Sequence, residues 1–393
     1  MSQKNKVKII SIGRFHHFHL ARQLSKHNLF DCIYSGYPKF KLKNEKKLNS
    51  KRIISYSFYV IFYRLVLKFF NRYFPNLVNY FNYISHKKLS LYVKKQIKFS
   101  KILIASSGSG LEAGQYIKQK NNGIFICDRS SSHILYQKKI LSKEYKKLNL
   151  NFNEMYDLSI KRELKEYKIA DIISVPSKFV FNSFIKMGVN KKKLFLNPLG
   201  IDLKRFKPNA NKLKKNKNFK ILYVGSVSVR KGVIYLLEAF KSLNIENKEL
   251  IIIGSIQKNI KKILKKYLDD ERIVTIPYVE NSKLMKFYSE ADVFVQPSLE
   301  DGFGLVILEA LACGCPVIAT KNTGAGDIFS SGSAGYIVNS CSSNEILKKL
   351  KFLEKNEFIR KKLSLNGLKI VKKIKGWDNY GNKWSKKIKQ LNI

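Results

Sequence analysis

At 393 residues the chain has the length of about two ordinary domains, and 45% hydrophobic content is ample for two cores. The formal net charge of +47 rests on 75 Lys and Arg against 28 Asp and Glu, but only 11 of those cations are Arg and the lysines are spread over the whole length. Nucleic-acid readers concentrate Arg forks in a patch, so this pattern argues against nucleic acid and for anionic ligands or an anionic membrane surface. The five cysteines (Cys32, Cys127, Cys313, Cys315, Cys341) are odd in number and scattered, which fits reduced cytoplasmic thiols rather than a disulfide framework; Cys313-Gly314-Cys315 lacks the second pair or nearby His that a metal site needs.

The chain opens polar over Met1–Lys8 and enters a strand over Val7–Gly13, so no signal peptide is expected. No run of about 18 uncharged apolar residues suggests a transmembrane helix. A helix over Phe18–Lys26 and a strand over Phe30–Tyr34 follow. The segment Ile53–Phe81 interleaves eleven aromatic residues with Arg64, Lys68 and Arg72 at helical spacing. It fits either a helix lying in a membrane interface or two core-packing helices broken at Pro75. Strands are expected at Ile102–Ala105, Ile124–Cys127 and Ile172–Val175, with a charged helical run over Leu141–Ala170 between the last two.

The Lys- and Asn-rich stretch Pro208–Asn218 reads as a linker. Beyond it the same alternation restarts, with strands at Phe219–Gly225, Leu250–Ile253, Ile273–Ile276, Val293–Gln296, Val317–Ala319 and Gly335–Val338. Trp377 and Trp384 lie in a last amphipathic segment. Short apolar strands alternating with helices imply an α/β protein of two doubly wound Rossmann-like domains, whose ligands sit at the carboxyl ends of the strands.

The most informative motif runs from Pro297 to Ala310, PSLEDGFGLVILEA. A buried strand ends just before it, a Gly-Phe-Gly turn interrupts it, and a helix opens from the turn. Unpaired amides and the helix dipole then point at one spot, which makes an anion site. Asp301 and Glu309, eight residues apart, can accept hydrogen bonds from sugar hydroxyls. Phosphate plus hydroxyls suggests a nucleotide-sugar.

Residues 195–340 resemble the retaining glycosyltransferases of family 4, which have the GT-B fold. The resemblance is carried by Asn197-Pro198-Leu199-Gly200-Ile201-Asp202, Phe206, Pro208, Val224-Gly225-Ser226 through Arg230-Lys231-Gly232, Ala291-Asp292, Pro297-Ser298, the acidic pair, Gly314-Cys315-Pro316-Val317 and Thr323-Gly324. It implies domains at 1–200 (acceptor side) and 201–375 (donor side), with a last helix over 376–393 returning to the first domain. It implies that Glu309 binds the ribose, Asp301 the transferred sugar, the amides of Gly304 and Leu305 the diphosphate, and Lys231 with Arg230 its charge. The donor contacts extend over Gly225, Ser226, Gly302 and Phe303. Two departures stand out: Asp301 occupies a position where the family prefers Glu, with adjacent Glu300 as a stand-in, and Ser226 replaces a common Arg.

In the first half, Gly13-Arg14-Phe15-His16-His17-Phe18-His19 follows the first strand, and Cys127-Asp128-Arg129-Ser130-Ser131-Ser132-His133 follows a later one. Arg14, His16 and His133 are expected to face the acceptor and join Lys231 and Asp301 as the reacting set, with a capped helix start as the other reading of His133. No metal or other cofactor is expected, because the three clustered histidines have no acidic neighbour in sequence and the diphosphate chemistry of the fold needs none. A competing signal is Ser107-Gly108-Ser109-Gly110-Leu111-Glu112-Ala113-Gly114 with Asp128 about 20 residues on. It imitates a dinucleotide-binding loop, with glycine spacing one residue too long.

The expected activity is transfer of a sugar, with retention, from a nucleoside-diphosphate-sugar to a glycan or lipid-linked acceptor in cell-surface polysaccharide or glycolipid synthesis. The expected location is the cytoplasm or the inner membrane face. A catalytically degenerate nucleotide- or glycan-binding protein and an NAD(P)-dependent oxidoreductase are the alternatives.

Overall fold

The computed structural model describes residues 6–42, 45, 47–70, 73–208 and 218–391. Arg72 and positions 209–217 of the expected linker lie outside the described residues. The first sheet contains β1 (Val7–Ser11), β2 (Phe30–Ser35), β3 (Ile53–Ser55), β4 (Ile102–Ser106), β5 (Ile124–Asp128), β6 (Ile172–Val175) and β7 (Leu194–Leu196). Its spatial order is β3-β2-β1-β4-β5-β6-β7, and every adjacent pair is parallel. The second sheet contains β8 (Phe219–Val224), β9 (Lys248–Ile253), β10 (Ile273–Ile276), β11 (Val293–Gln296), β12 (Val317–Thr320) and β13 (Gly335–Val338), in the order β10-β9-β8-β11-β12-β13 and again wholly parallel.

Around the first sheet run α1 (His17–Lys26), α2 (Phe58–Phe70), α3 (Pro75–Gln96), α4 (Leu111–Asn121), α5 (Ile134–Lys147), α6 (Asp157–Ile169) and α7 (Lys178–Lys186). Around the second run α8 (Val233–Lys241), α9 (Lys258–Leu268), α10 (Leu284–Glu290), α11 (Leu305–Ala312), α12 (Ala325–Ile328), α13 (Ser343–Lys355) and α14 (Glu357–Ile374), and α15 (Gly376–Lys389) closes the chain. Strands such as β4 and β11 are buried at every residue. That is what a parallel sheet covered by helices on both faces requires of its Val- and Ile-rich runs.

In each sheet the chain first builds outward on one side of its opening strand, then returns to the other side. The order therefore reverses between β1 and β4 and again between β8 and β11. At such a switch the loops leaving the strands diverge and open a crevice at their carboxyl ends. The loop after β1 carries Arg14 and His16, the loop after β8 carries Ser226 to Gly232, and the loop after β11 carries Glu300 to Gly304.

Three local readings are corrected. The charged run Leu141–Ala170 is two helices rather than one, because α5 stops where Asn149 turns left-handed at φ 52° and the chain stays irregular until α6. The edge strands β3 and β7, three residues each, are too short to show a period. Ile53–Phe81 is strand, then helix, then the start of a second helix at Pro75, where proline suits a first turn. Of α2 only Val60 and Val66 are buried, while Phe58, Ile61, Phe62, Leu65, Phe69 and Phe70 are exposed. It is not a core-packing helix. Among the described residues, no helix is long and apolar enough to cross a membrane.

The final helix packs on α1 of the first domain. Trp384 is fully buried there, edge-on to Phe195 of β7 with ring centroids 5.0 Å apart, and Trp377 stacks on His19 at 4.0 Å. Trp384→Ala should destabilise the first domain by about 3–5 kcal/mol through the cavity it leaves. Hydrogen exchange should quicken at α1 and β7 while β8 and β9 keep their protection; equal loss in both sheets would refute this local role.

Candidate functional site

The strand β11 ends at Gln296, whose amide donates to Ser298 Oγ at 2.9 Å and to Asp301 Oδ2 at 3.0 Å. Thr320, at the end of neighbouring β12, donates its hydroxyl to the Ser298 carbonyl at 2.6 Å. The acidic loop is thus tied to two strand ends. On its other side lies the turn after β8. Gly232 there is left-handed at φ 63°, and a Cβ on it would stand 2.2 Å from the Pro297 carbonyl oxygen. Only glycine lets this turn come so close, and the Leu299 amide then bonds the Arg230 carbonyl at 3.0 Å.

The close approach brings Lys231 Nζ into direct contact with Asp301 Oδ2, both side chains being largely buried. Burial alone would raise the Asp301 carboxyl, but Lys231 and Arg230 outweigh it and hold it below the usual carboxylate range. One turn into α11, Glu309 accepts a hydrogen bond from the Tyr288 hydroxyl at 2.9 Å. Burial pushes its carboxyl up to about 7 against the opposing pull of Tyr288 and Arg205. At the start of α11 the Ile307 amide bonds the Gly304 carbonyl at 2.9 Å, so the amides before it have no partner within the helix and point out of its end. Lysine, two carboxylates and a helix N-terminus therefore converge within one loop system. Gly225 and Ser226 close the same side, Tyr223 donating its hydroxyl to the Ser226 carbonyl at 2.8 Å.

Glu300 is placed differently from the expectation that it could stand in for Asp301. It is fully buried, and its carboxylate accepts from the Ser132 amide and from Gln137 Nε2, each at 2.8 Å, and from Arg230 at 3.2 Å. Ser132 and Gln137 belong to the first domain, so two of its three hydrogen bonds join the two domains. Beside it, Gly302 lies so near the first domain that a Cβ would stand 1.7 Å from the Ser130 carbonyl oxygen, and Ser177 Oγ donates to the Gly302 carbonyl at 2.6 Å. Phe303 is buried behind them.

The first domain brings some of its expected residues together and not others. His16 Nε2 lies 2.7 Å from Asp128 Oδ2. This carboxylate supplies the acidic neighbour that the histidines lack in sequence. Arg14 is turned toward Glu45, which also takes Arg22 at 2.5 Å. For His133 the structure matches the helix-cap reading. Its Nδ1 accepts from the Leu135 amide at 3.3 Å, and its ring is enclosed by Tyr167 and Phe184, so it caps α5 instead of facing an acceptor.

The dinucleotide-like loop is also excluded. The Gly108 and Gly110 amides that would hold a pyrophosphate are occupied by the buried Glu166 carboxylate at 2.6 and 2.8 Å, and Gly110 and Gly114 press on the Phe125 ring. Sequence reasoning missed Tyr288 and Gln296, which support Glu309 and Asp301 from elements with no motif of their own. It also missed Arg129, which reaches Glu163 at 2.7 Å and Gln137 at 2.9 Å. Arg129, Gln137, Glu163 and Arg230 line a cavity of about 270 Å³ that α3 closes with Asn79 and Asn82.

Residues 205–370 match the family described as glycosyl transferases group 1. The chain is 34% identical over 183 residues to the capsular polysaccharide biosynthesis glycosyltransferase CapM of Staphylococcus aureus, covering 44% of this chain and 48% of that protein. It is 29% identical over 282 residues to an uncharacterized 41.2 kDa protein in the cps region of Klebsiella pneumoniae, covering 68% of this chain and 74% of that one. HepE of Anabaena, solved in complex with UDP-glucose, superposes with a TM-score of 0.71 at 15% identity over 98% of this chain and 100% of its own. The architecture is that of GT-B glycosyltransferases, two Rossmann-like domains with parallel sheets, and the match over the second domain supports a sugar transferase of group 1.

Glu309 gives this site a pH signature. Its carboxyl titrates at about 7 in the folded protein against 4.5 as its ordinary value. Between those pH values the folded state holds a proton that the unfolded chain has released, so the group's stabilising effect is complete below the ordinary value and is lost as pH rises toward 7. Glu309→Gln keeps the Tyr288 acceptor and removes that loss. Its stability relative to wild type should increase by about 1–2 kcal/mol from pH 5 to pH 8, measured by urea unfolding, with the full shift discounted for residual solvent contact. A difference independent of pH would refute the burial argument.

Proposed function

We propose that the chain transfers a sugar from a nucleoside-diphosphate-sugar to an acceptor hydroxyl with retention of anomeric configuration. The observation that carries this reading is the convergence of Lys231, Asp301, Glu309 and the α11 N-terminus within a domain that matches glycosyl transferases group 1. The Glu309 carboxylate accepts the ribose hydroxyls, and the Gly304 and Leu305 amides take the diphosphate at the helix end. Lys231 and Arg230 neutralise it, and Asp301 takes hydroxyls of the sugar. The contact between Lys231 and Asp301 speaks against a degenerate site, since the shorter carboxylate still reaches its partner.

In the reaction the bond from the anomeric carbon to the diphosphate oxygen breaks, and a bond to the acceptor oxygen forms on the same face. The acceptor's proton passes to the departing diphosphate. Negative charge grows on that leaving group, so fixed donors beside it favour the transition state over the bound substrate. No protein nucleophile is needed, and the two carboxylates act as binding groups rather than as the acid and nucleophile pair of retaining glycosidases. His16 and Arg14, on the loop facing this crevice, orient the acceptor.

For the acceptor we propose a glycan or lipid-linked glycan at an anionic membrane surface, with the protein peripheral on the cytoplasmic face. The exposed aromatic side of α2 carries Arg64 and Lys68, and from Lys46 to Leu111 the sequence holds no Asp or Glu. Such a surface suits interfacial binding to acidic lipids. The naming of CapM for capsular polysaccharide biosynthesis agrees with a polymer-building role.

UDP, GDP or ADP, or one of their sugars, should raise the melting temperature, because a ligand of the native state adds to its stability. Transfer or donor hydrolysis should fall at least about 100-fold in Lys231→Ala and in Glu309→Ala. Variants as active as wild type would remove the proposed cradle. Separately, the full chain should float with anionic vesicles at low salt, and Phe62→Ser with Phe69→Ser should abolish flotation while leaving nucleotide binding intact. Failure to float would sink the membrane proposal alone.

A further inference from the structure

Beyond sugar transfer, we infer that His16, His17 and Asp128 form a binding site for a divalent transition-metal ion of the zinc class. One ligand atom from each side chain lies within 4.8 Å of the other two. His16 and His17 are stacked, with ring centroids 4.3 Å apart, and both Nε2 atoms face Asp128 Oδ2, at 2.7 and 3.0 Å. Ligand atoms each about 2.05 Å from a tetrahedral ion stand about 3.3 Å apart, so each histidine needs to draw back from Asp128 by only a few tenths of an ångström to admit one.

The second observation concerns the tautomer of His17, which is nearly fully buried. Ser11 Oγ gives its single proton to the Gly13 carbonyl at 2.8 Å, yet lies 3.2 Å from His17 Nδ1. With that proton placed on the Gly13 carbonyl, Nδ1 donates to Ser11 Oγ and the Nε2 of a neutral ring is left as a lone pair facing Asp128. This Nε2 makes no aligned hydrogen bond, although Asp128 Oδ2 is 3.0 Å away. Two lone pairs so close in a dry site repel each other unless a proton or a metal cation lies between them.

A metal ion in that place removes the conflict, and Ser11 becomes the outer partner that orients the ligand ring. Two histidines and one carboxylate suit zinc or a similar ion and leave one tetrahedral position for water or a substrate group. The ligands come from the start of α1 and the end of β5, so the ion would fasten two loops at the carboxyl edge of the first sheet.

The full chain, stripped with chelator, is titrated with Co²⁺ and followed by visible absorption, then back-titrated with Zn²⁺. One Co²⁺ per chain with the intense bands of tetrahedral coordination, displaced by one Zn²⁺, is expected. Binding should be lost in His17→Ala and in Asp128→Asn and weakened about 10-fold or more in Ser11→Ala, which keeps every ligand. Absence of those bands in wild type overturns the site without recourse to any variant. Undiminished binding in both Ser11→Ala and His17→Ala also overturns it.

Discussion

The arrangement of this molecule depends on one buried carboxylate. Glu300 belongs to the acidic loop of the second domain, yet two of its three bonding partners, the Ser132 amide and the Gln137 side chain, belong to the first. An unpaired charge at that depth would cost several kcal/mol. Closure of the domains supplies the donors that offset this cost, and opening them would expose the carboxylate and strand Arg230 beside it. Gly302 allows the contact, since any side chain there would collide with the Ser130 backbone. The same residues that close the crevice therefore stand next to those that would hold a nucleotide-sugar. Donor site and domain closure are one structure.

The bulk charge of the protein says little about this region. Lysines dominate the surface, whereas the crevice is organised by acids that each have a specific partner. Glu163 takes Arg129, Arg129 takes Gln137, Gln137 takes Glu300, and Glu300 takes Arg230. Buried networks of this kind are stable only when every member is satisfied. The surplus positive field can then act over distance, drawing diphosphates and anionic surfaces toward the protein, while the paired groups fix what binds where.

Much of the fold was legible because a parallel sheet buries both faces of each strand and leaves continuous apolar runs, as at Val293–Gln296 and Ile102–Ser106. The donor loop was legible because glycine, carboxylate and helix start are close in sequence. What escaped is what sequence separation hides. Tyr288 meets Glu309 across two helices, and Asp128 meets His16 more than a hundred residues away. His133 misled because a histidine after a strand has the same local signature whether it caps a helix or faces a ligand. Glu300 misled for a related reason: adjacency to Asp301 suggested a shared role, but consecutive residues of an irregular loop point to different neighbours.

The two carboxylates of the donor site show how a single loop and helix assign different roles to one chemical group. Asp301 is buried against Lys231 and Arg230, so it stays an anion whatever occupies the crevice. It fixes the lysine ahead of any substrate and leaves a preorganised charge pair. Glu309 is desolvated more strongly than Tyr288 and Arg205 offset, so near neutral pH its anionic form is only partly populated. A ribose offers hydroxyl donors that can replace the proton, so nucleotide binding and deprotonation of Glu309 must favour each other. The same residue that makes the empty site less stable at high pH thereby makes it more receptive to a nucleotide there, and that opposition of stability and affinity follows from burying an acid more deeply than its nearby cation can offset.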